Sequence, residues 1–136
     1  MKEKIFIENT TDVYSILDKY KNKTVEHFGL ICLDGAQQVI KNKVLFKGGY
    51  TCSTVDVRVI LFEAIKCRAC SVIIWHNHPS GNVNPSKDDI STTNRIKVAV
   101  NICGMQLLDS MIIGKYDYYS FMYHNQLEET NCKVAN

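Results

Sequence analysis

The feature that most limits what this chain can fold into is the run Val72-Ile73-Ile74-Trp75, followed at once by His76-Asn77-His78-Pro79-Ser80-Gly81. Four apolar residues in succession, without polar alternation, read as a strand buried on both faces. Such a strand needs a layer on each side of its sheet, which points away from an open two-layer hairpin fold. Pro79 and Gly81 then force the chain to turn. The strand therefore ends by delivering two histidines to the rim of a sheet.

The surrounding sequence fits that frame. Lys4 to Ile7 suggests a short strand, and Asn9-Thr10-Thr11 offers N-caps for a helix from about Asp12 to Tyr20. Val25 to Leu33 has strand chemistry, Asp34-Gly35 signals a hairpin, and Gln37 to Phe46 returns antiparallel. Val57, Ile60, Leu61, Ala64 and Ile65 carry a helical period within Ser53 to Lys66. A further helix is expected from Ser86 to about Ile102, stopped by Gly104, and then strands over Gln106–Ile113 and Tyr118–Tyr123. This succession predicts an α/β (α+β) sandwich with a mixed, largely antiparallel sheet flanked by helices. At 136 residues, without repeat or linker, the expectation is a single domain over 1–136. Its core spans about 24–127, with an N-terminal strand and helix in 1–20 and a polar tail over 128–136.

A net charge of +2 lacks the strongly basic footprint of a protein that binds DNA mainly through phosphates. No apolar run approaches the roughly 20 residues of a membrane helix. Too few apolar residues follow Met1 to Lys4 for an export signal, so the expected compartment is the cytoplasm. Thiols there stay reduced, and the six cysteines are not expected to form a disulfide framework. Cys67-Arg68-Ala69-Cys70 has metal or redox spacing, but no second pair completes a structural zinc site, and the pair falls near the end of a helix. It reads as helix-end packing.

The chemistry concentrates in His76, His78 and the acids Asp88 and Asp89. Residues two apart in a strand point to the same side, so both imidazoles can reach one ion. An acid in the first turn of the next helix can swing back over the strand end. Two imidazoles and a carboxylate leave a coordination position for water, the mark of a catalytic rather than a structural zinc site. The same donors also describe non-haem iron centres. Ser86 with Asp89 reads equally as a capping box, and spacing alone leaves Asp88 and Asp89 as competing ligands.

His76-Asn77-His78-Pro79, six residues, Ser86, two residues and Asp89 resemble the signature of the JAMM (MPN+/JAB) metalloprotease superfamily. Within it the chain is most similar to the RadC-like domain, over about Thr24 to Leu127. The likeness includes Pro85-Ser86, Asp88-Asp89-Ile90, Leu107-Leu108-Asp109 and Tyr119-Ser120-Phe121. The resemblance implies a JAB/MPN-like (cytidine-deaminase-like) sandwich and one zinc ion per chain on His76, His78 and Asp89. It further implies Glu26 as general acid/base and Ser86 as oxyanion donor in a hydrolase acting on peptide or isopeptide bonds. The implied partner is a peptide or protein substrate, its choice shaped by loop 47–56. A rival expectation is a DNA-repair or mobile-element accessory that acts by binding, although charge does not indicate DNA association. Ser110 stands where relatives often carry histidine after Leu-Leu-Asp.

Overall fold

The computed structural model describes residues 3–49 and 54–127. In chain order they form α1 (Thr10–Ile16), a single 3-10 turn (Asp18–Tyr20), β1 (His27–Leu33) and β2 (Val39–Lys47). Then come α2 (Val57–Lys66), β3 (Ser71–Asn77), α3 (Lys87–Ile102), β4 (Gln106–Ile113) and β5 (Tyr118–Ser120). The strands make one mixed sheet in the order β2-β1-β3-β4-β5. All pairs are antiparallel except β3 with β4. That parallel pair needs a crossover, which α3 supplies.

Every residue of β3 is buried, as its unbroken apolar run requires. The strand separates two cores. Phe28, Leu30, Cys32, Val72 and Ile74 face Ile60 and Ala64 of α2 and Ile96 and Val100 of α3. Ile31, Leu33, Ile73, Trp75 and Met111 face the other way, with Val13 of α1 and Leu17. Removing each of the β3 isoleucines from water contributes about 1.5–3 kcal/mol, so the strand that carries the histidines is anchored from both sides. Trp75 lies across its neighbour strand: a Cβ on Gly29 would sit 2.2 Å from the indole ring, and the indole N–H donates to Asn42 Oδ1 at 2.9 Å. Only glycine fits beneath it.

Several boundaries differ from the sequence expectation. Lys4 to Ile7 makes no strand of its own, only an isolated bridge from Phe6 to Gln38, because it meets the sheet just at the start of β2. The expected helix to Tyr20 stops at Ile16 and tightens into the 3-10 turn; its cap is Asn9, closed into a capping box by Asp12. At the Asp34-Gly35 hairpin the positive φ (63°) falls on Gln37, not on the glycine. Asp34 organises that turn by accepting from the Ala36 and Gln38 N–H groups. Asp56, whose carboxylate takes the Arg58 N–H, starts α2; the expected start at Ser53 lies outside the described residues. β5 is shorter than expected because the chain turns after Ser120, where the His124 N–H returns to the Ser120 carbonyl. The polar tail over 128–136 lies outside the described residues.

Among the described residues Cys32, Cys67, Cys70 and Cys103 are free thiols. Cys67 is the C-cap of α2, which fits the packing reading of the Cys67/Cys70 pair. No helix among the described residues is long and apolar enough to cross a membrane.

Candidate metal centre

β3 brings His76 and His78 to the end of the sheet, and the loop after it leads into α3, whose first turn holds Asp89. The donors converge. His76 Nε2 lies 3.1 Å from His78 Nε2, His76 Nε2 is 3.1 Å from Asp89 Oδ1, and His78 Nε2 is 3.2 Å from Asp89 Oδ2. Among the described residues these three form the group of donors that could hold a metal ion.

The donor chemistry fits a divalent cation. The carbonyl of Asn82 can only accept, so His78 Nδ1, 2.7 Å away, must carry the proton. Its Nε2 lone pair is thereby turned toward His76 and Asp89, the arrangement that second-sphere partners impose on metal-binding imidazoles. Two nitrogen ligands at about 2.0–2.1 Å on a tetrahedral zinc stand about 3.3 Å apart, close to the spacing found. Two imidazole nitrogens held this near one another and facing a carboxylate need a proton or a cation between them.

Without a cation, protons fill that role. Hydrogen bonding to Asp89 lifts the His78 imidazole above its ordinary value, against its burial and with help from the Asn82 carbonyl. Burial pushes the Asp89 carboxyl up, but hydrogen bonds from His76 and His78 and from the Ser86 N–H outweigh it and hold the group below the usual carboxylate range.

Asp89 rather than Asp88 reaches the imidazoles; Asp88 is exposed at the rim of the cleft. The capping box and the metal reading turn out to use the same atoms. Ser86 Oγ accepts from the Asp89 N–H at 3.0 Å, and Asp89 Oδ2 accepts from the Ser86 N–H at 2.8 Å. Capping thus fixes the rotamer that aims Asp89 at His78. A hydroxyl that accepts one hydrogen bond still has its own proton to give, so the capping role leaves Ser86 a donor.

Glu26 stands immediately before β1. In the antiparallel β1/β3 register Phe28 pairs with His76, which sets Glu26 across from His78 just beyond the last paired residues. Together with His78, Ser86, Asp88 and Asp89 it lines an open cleft of about 430 Å³. The Glu26 side chain belongs to the cleft, half-buried. His76 closes the floor, only 4% exposed, its ring parallel to Phe28 with centroids 6.0 Å apart. Loop 47–56 includes residues 50–53, which lie outside the described residues.

One residue of the site escaped the sequence reading. Asn77, between the histidines, points to the opposite face and is 1% exposed. Its Oδ1 accepts from the His27 N–H at 2.5 Å; its Nδ2 donates to the Val25 carbonyl at 3.1 Å and the Lys23 carbonyl at 3.5 Å. It therefore staples the segment bearing Glu26 to the strand bearing the histidines. The available signal was a polar residue at the end of a buried strand, where it must find partners. Ser110, in place of the expected histidine, is buried and shares a 2.9 Å hydrogen bond with Thr93 Oγ1, tying β4 to α3. Asp109 beside it is buried too, gathering the Ser120 hydroxyl and the Ser110 and Met122 N–H groups. Burial pushes its carboxyl up despite those bonds.

A five-stranded mixed sheet between helices, with two histidines at a strand end and an acid in the following helix, defines a JAB/MPN-like domain. A sequence profile of the RadC-like JAB domain matches residues 7–127, and the chain belongs to that family. It is 38% identical to a UPF0758 protein of Staphylococcus haemolyticus over 130 residues, covering 95% of this chain and 57% of that one. A UPF0758 protein of Streptococcus suis is 43% identical over 100 residues, 74% of this chain and 41% of its own length. One from Clostridium perfringens is 45% identical over 105 residues, 77% and 46% of the two chains. The chain thus spans about half the length of the curated relatives it matches.

Proposed function

We propose that the chain is a zinc-dependent hydrolase of peptide or isopeptide amide bonds. The observation that carries this reading is the convergence of His76 Nε2, His78 Nε2 and the Asp89 carboxylate, within 3.1–3.2 Å, at the wall of a cleft that Glu26 and Ser86 also line. Zinc, when bound to these three residues, supplies Lewis-acid polarisation and a nucleophile available near neutral pH.

The remaining work falls to the chain. Glu26 takes a proton from the attacking water and returns it to the leaving amine nitrogen, the task of a carboxylate placed beside the reacting atoms. Ser86, already fixed by the capping box, donates its hydroxyl proton to the oxygen on which negative charge develops; one such donor contributes about 10²–10³ in rate. Asn82 holds the His78 tautomer. Asn77 keeps the Glu26 segment against β3.

Two substitutions separate chemistry from metal binding. Glu26→Gln abolishes turnover of a peptide or isopeptide substrate and keeps near-stoichiometric zinc; full activity in that variant refutes the role. His76→Ala loses the zinc, and retention of a full equivalent removes His76 from the ligand set. Elemental analysis of protein purified without added metal separates zinc from iron: iron as the resident ion moves the site to redox chemistry, which has no use for Glu26 and Ser86 in these positions.

A further inference from the structure

Two open depressions meet at the turn after β3. One is the cleft just described. The other, about 620 Å³, is lined by Lys21, Lys23, Thr24 and Lys115 and shares Pro79 and Ser80 with the cleft. Three separate parts of the chain supply it: the segment after the 3-10 turn, the β3 turn, and the loop between β4 and β5.

The charges are uneven. Lys21 is tied to Asp18 at 2.7 Å. Among the described residues Lys23 and Lys115 enter no ion pair; Lys115 Nζ rests 5.3 Å from the centre of the Tyr116 ring. Among the described residues no acidic side chain lines the groove, whereas Glu26, Asp88 and Asp89 line the cleft beside it. Even with a divalent cation on His76, His78 and Asp89, the three carboxylates leave the cleft lining with one net negative charge, so the potential changes sign across the Pro79–Ser80 turn in a chain whose total charge is only +2.

We infer that this groove receives acidic side chains of an extended peptide on one side of the bond to be cut, an inference that rests on reading the cleft as an amide hydrolase. A peptide matches a sign change, because it can be acidic on one side of its scissile bond and neutral or basic on the other. A nucleic acid matches it poorly. Its phosphates would recur at every step and be carried past three carboxylates, and among the described residues no aromatic side chain lines the groove to stack a base. Charges at the rim of a binding site act mainly on partner choice and encounter, and complementarity of this kind selects among substrates that share the same reacting group.

The test uses short labelled peptides of alternating Glu and Gly, or of alternating Lys and Gly, titrated into the unmodified protein and followed by fluorescence anisotropy. The Glu peptide binds about tenfold or more tightly than the Lys peptide, and its affinity falls as salt rises. In amide-resonance spectra it shifts Lys23, Thr24, Ser80 and Lys115. Combined Lys23→Glu and Lys115→Glu substitution reverses the preference. Equal affinities, resonance shifts confined to another face, a preference that survives the double substitution, or tighter binding of an oligothymidine of matching length each overturns the inference. The resonance map on the unmodified protein decides the matter even if the double variant fails to fold. A correct map without peptide cleavage removes the hydrolase reading and leaves the groove; cleavage with the acidic peptide mapped elsewhere does the reverse.

Discussion

Replacing Asn77 by alanine tests how the site is held together. The side chain is buried and makes three hydrogen bonds to the backbone of residues 23–27. Truncation leaves the His27 N–H, itself in a buried residue, without its acceptor, which costs about 1–3 kcal/mol. The two donated bonds weigh less. The contact to Lys23 is long, and Val25 is exposed enough for water to replace the partner, so together they add about 1 kcal/mol. The sum is about 2–4 kcal/mol, or roughly 8–15 °C in Tm for a domain of this size. Zinc content should stay near one equivalent, because His76, His78 and Asp89 stand on β3 and α3, outside the released segment. Turnover should fall about 100-fold, the loss expected when a reacting group is displaced by about 1 Å. Differential scanning calorimetry, zinc analysis and peptide cleavage read the three consequences separately. Asn77→Asp keeps the acceptor for His27 but sets a buried carboxylate oxygen against the Val25 and Lys23 carbonyls, so its Tm at neutral pH should fall at least as far as that of alanine and recover as pH falls and the group is protonated. An Asn77→Ala protein that melts with wild type would falsify the staple, and one with full turnover would break its link to Glu26.

Ser86→Asp keeps a side chain that caps α3 and removes the hydroxyl proton; the stability should change by less than about 1 kcal/mol while turnover falls about 10²–10³-fold, whereas Ser86→Ala also loses the cap. Equal turnover in Ser86→Asp and wild type rules out the donor. The stabilisation conferred by zinc should grow with pH. In the metal-free protein the raised His78 contributes stability that is complete below the unfolded imidazole value of about 6.5 and lost as pH rises through the folded value. The depressed Asp89 contributes stability present above the unfolded carboxylate value of about 3.9 and lost as pH falls toward its folded value. Metal needs the imidazoles neutral, so the Tm difference between zinc-loaded and metal-free protein should be larger near pH 8 than near pH 5.5; a difference that shrinks over that range contradicts the donor assignment. Gly29→Ala should cost at least about 1–3 kcal/mol in chemical denaturation, because the new methyl collides with the Trp75 indole. An unchanged midpoint would mean that Trp75 swings aside freely.

Local sequence carried much of this protein. The unbroken run at Val72 to Trp75 fixes β3 as a strand covered on both faces, and strand alternation places His76 and His78 on one side. Ser86 and Asp89, three apart, are enough to start α3. These follow from distances of a few residues, over which backbone geometry dictates where side chains go. The choice of Asp89 over Asp88 needed the tertiary structure, since both lie in the same helical turn and only the approach of α3 to the end of β3 decides which carboxylate meets the imidazoles. Glu26 comes to the cleft through the β1/β3 register, across some fifty residues of chain, and Asn77 becomes a staple only because that register sets His27 beside it. The basic groove has no local signature, because Lys23, Ser80 and Lys115 become neighbours only when the sheet closes. Periodicity records what a residue does to its own segment; which segments meet is settled by burying both faces of β3 at once.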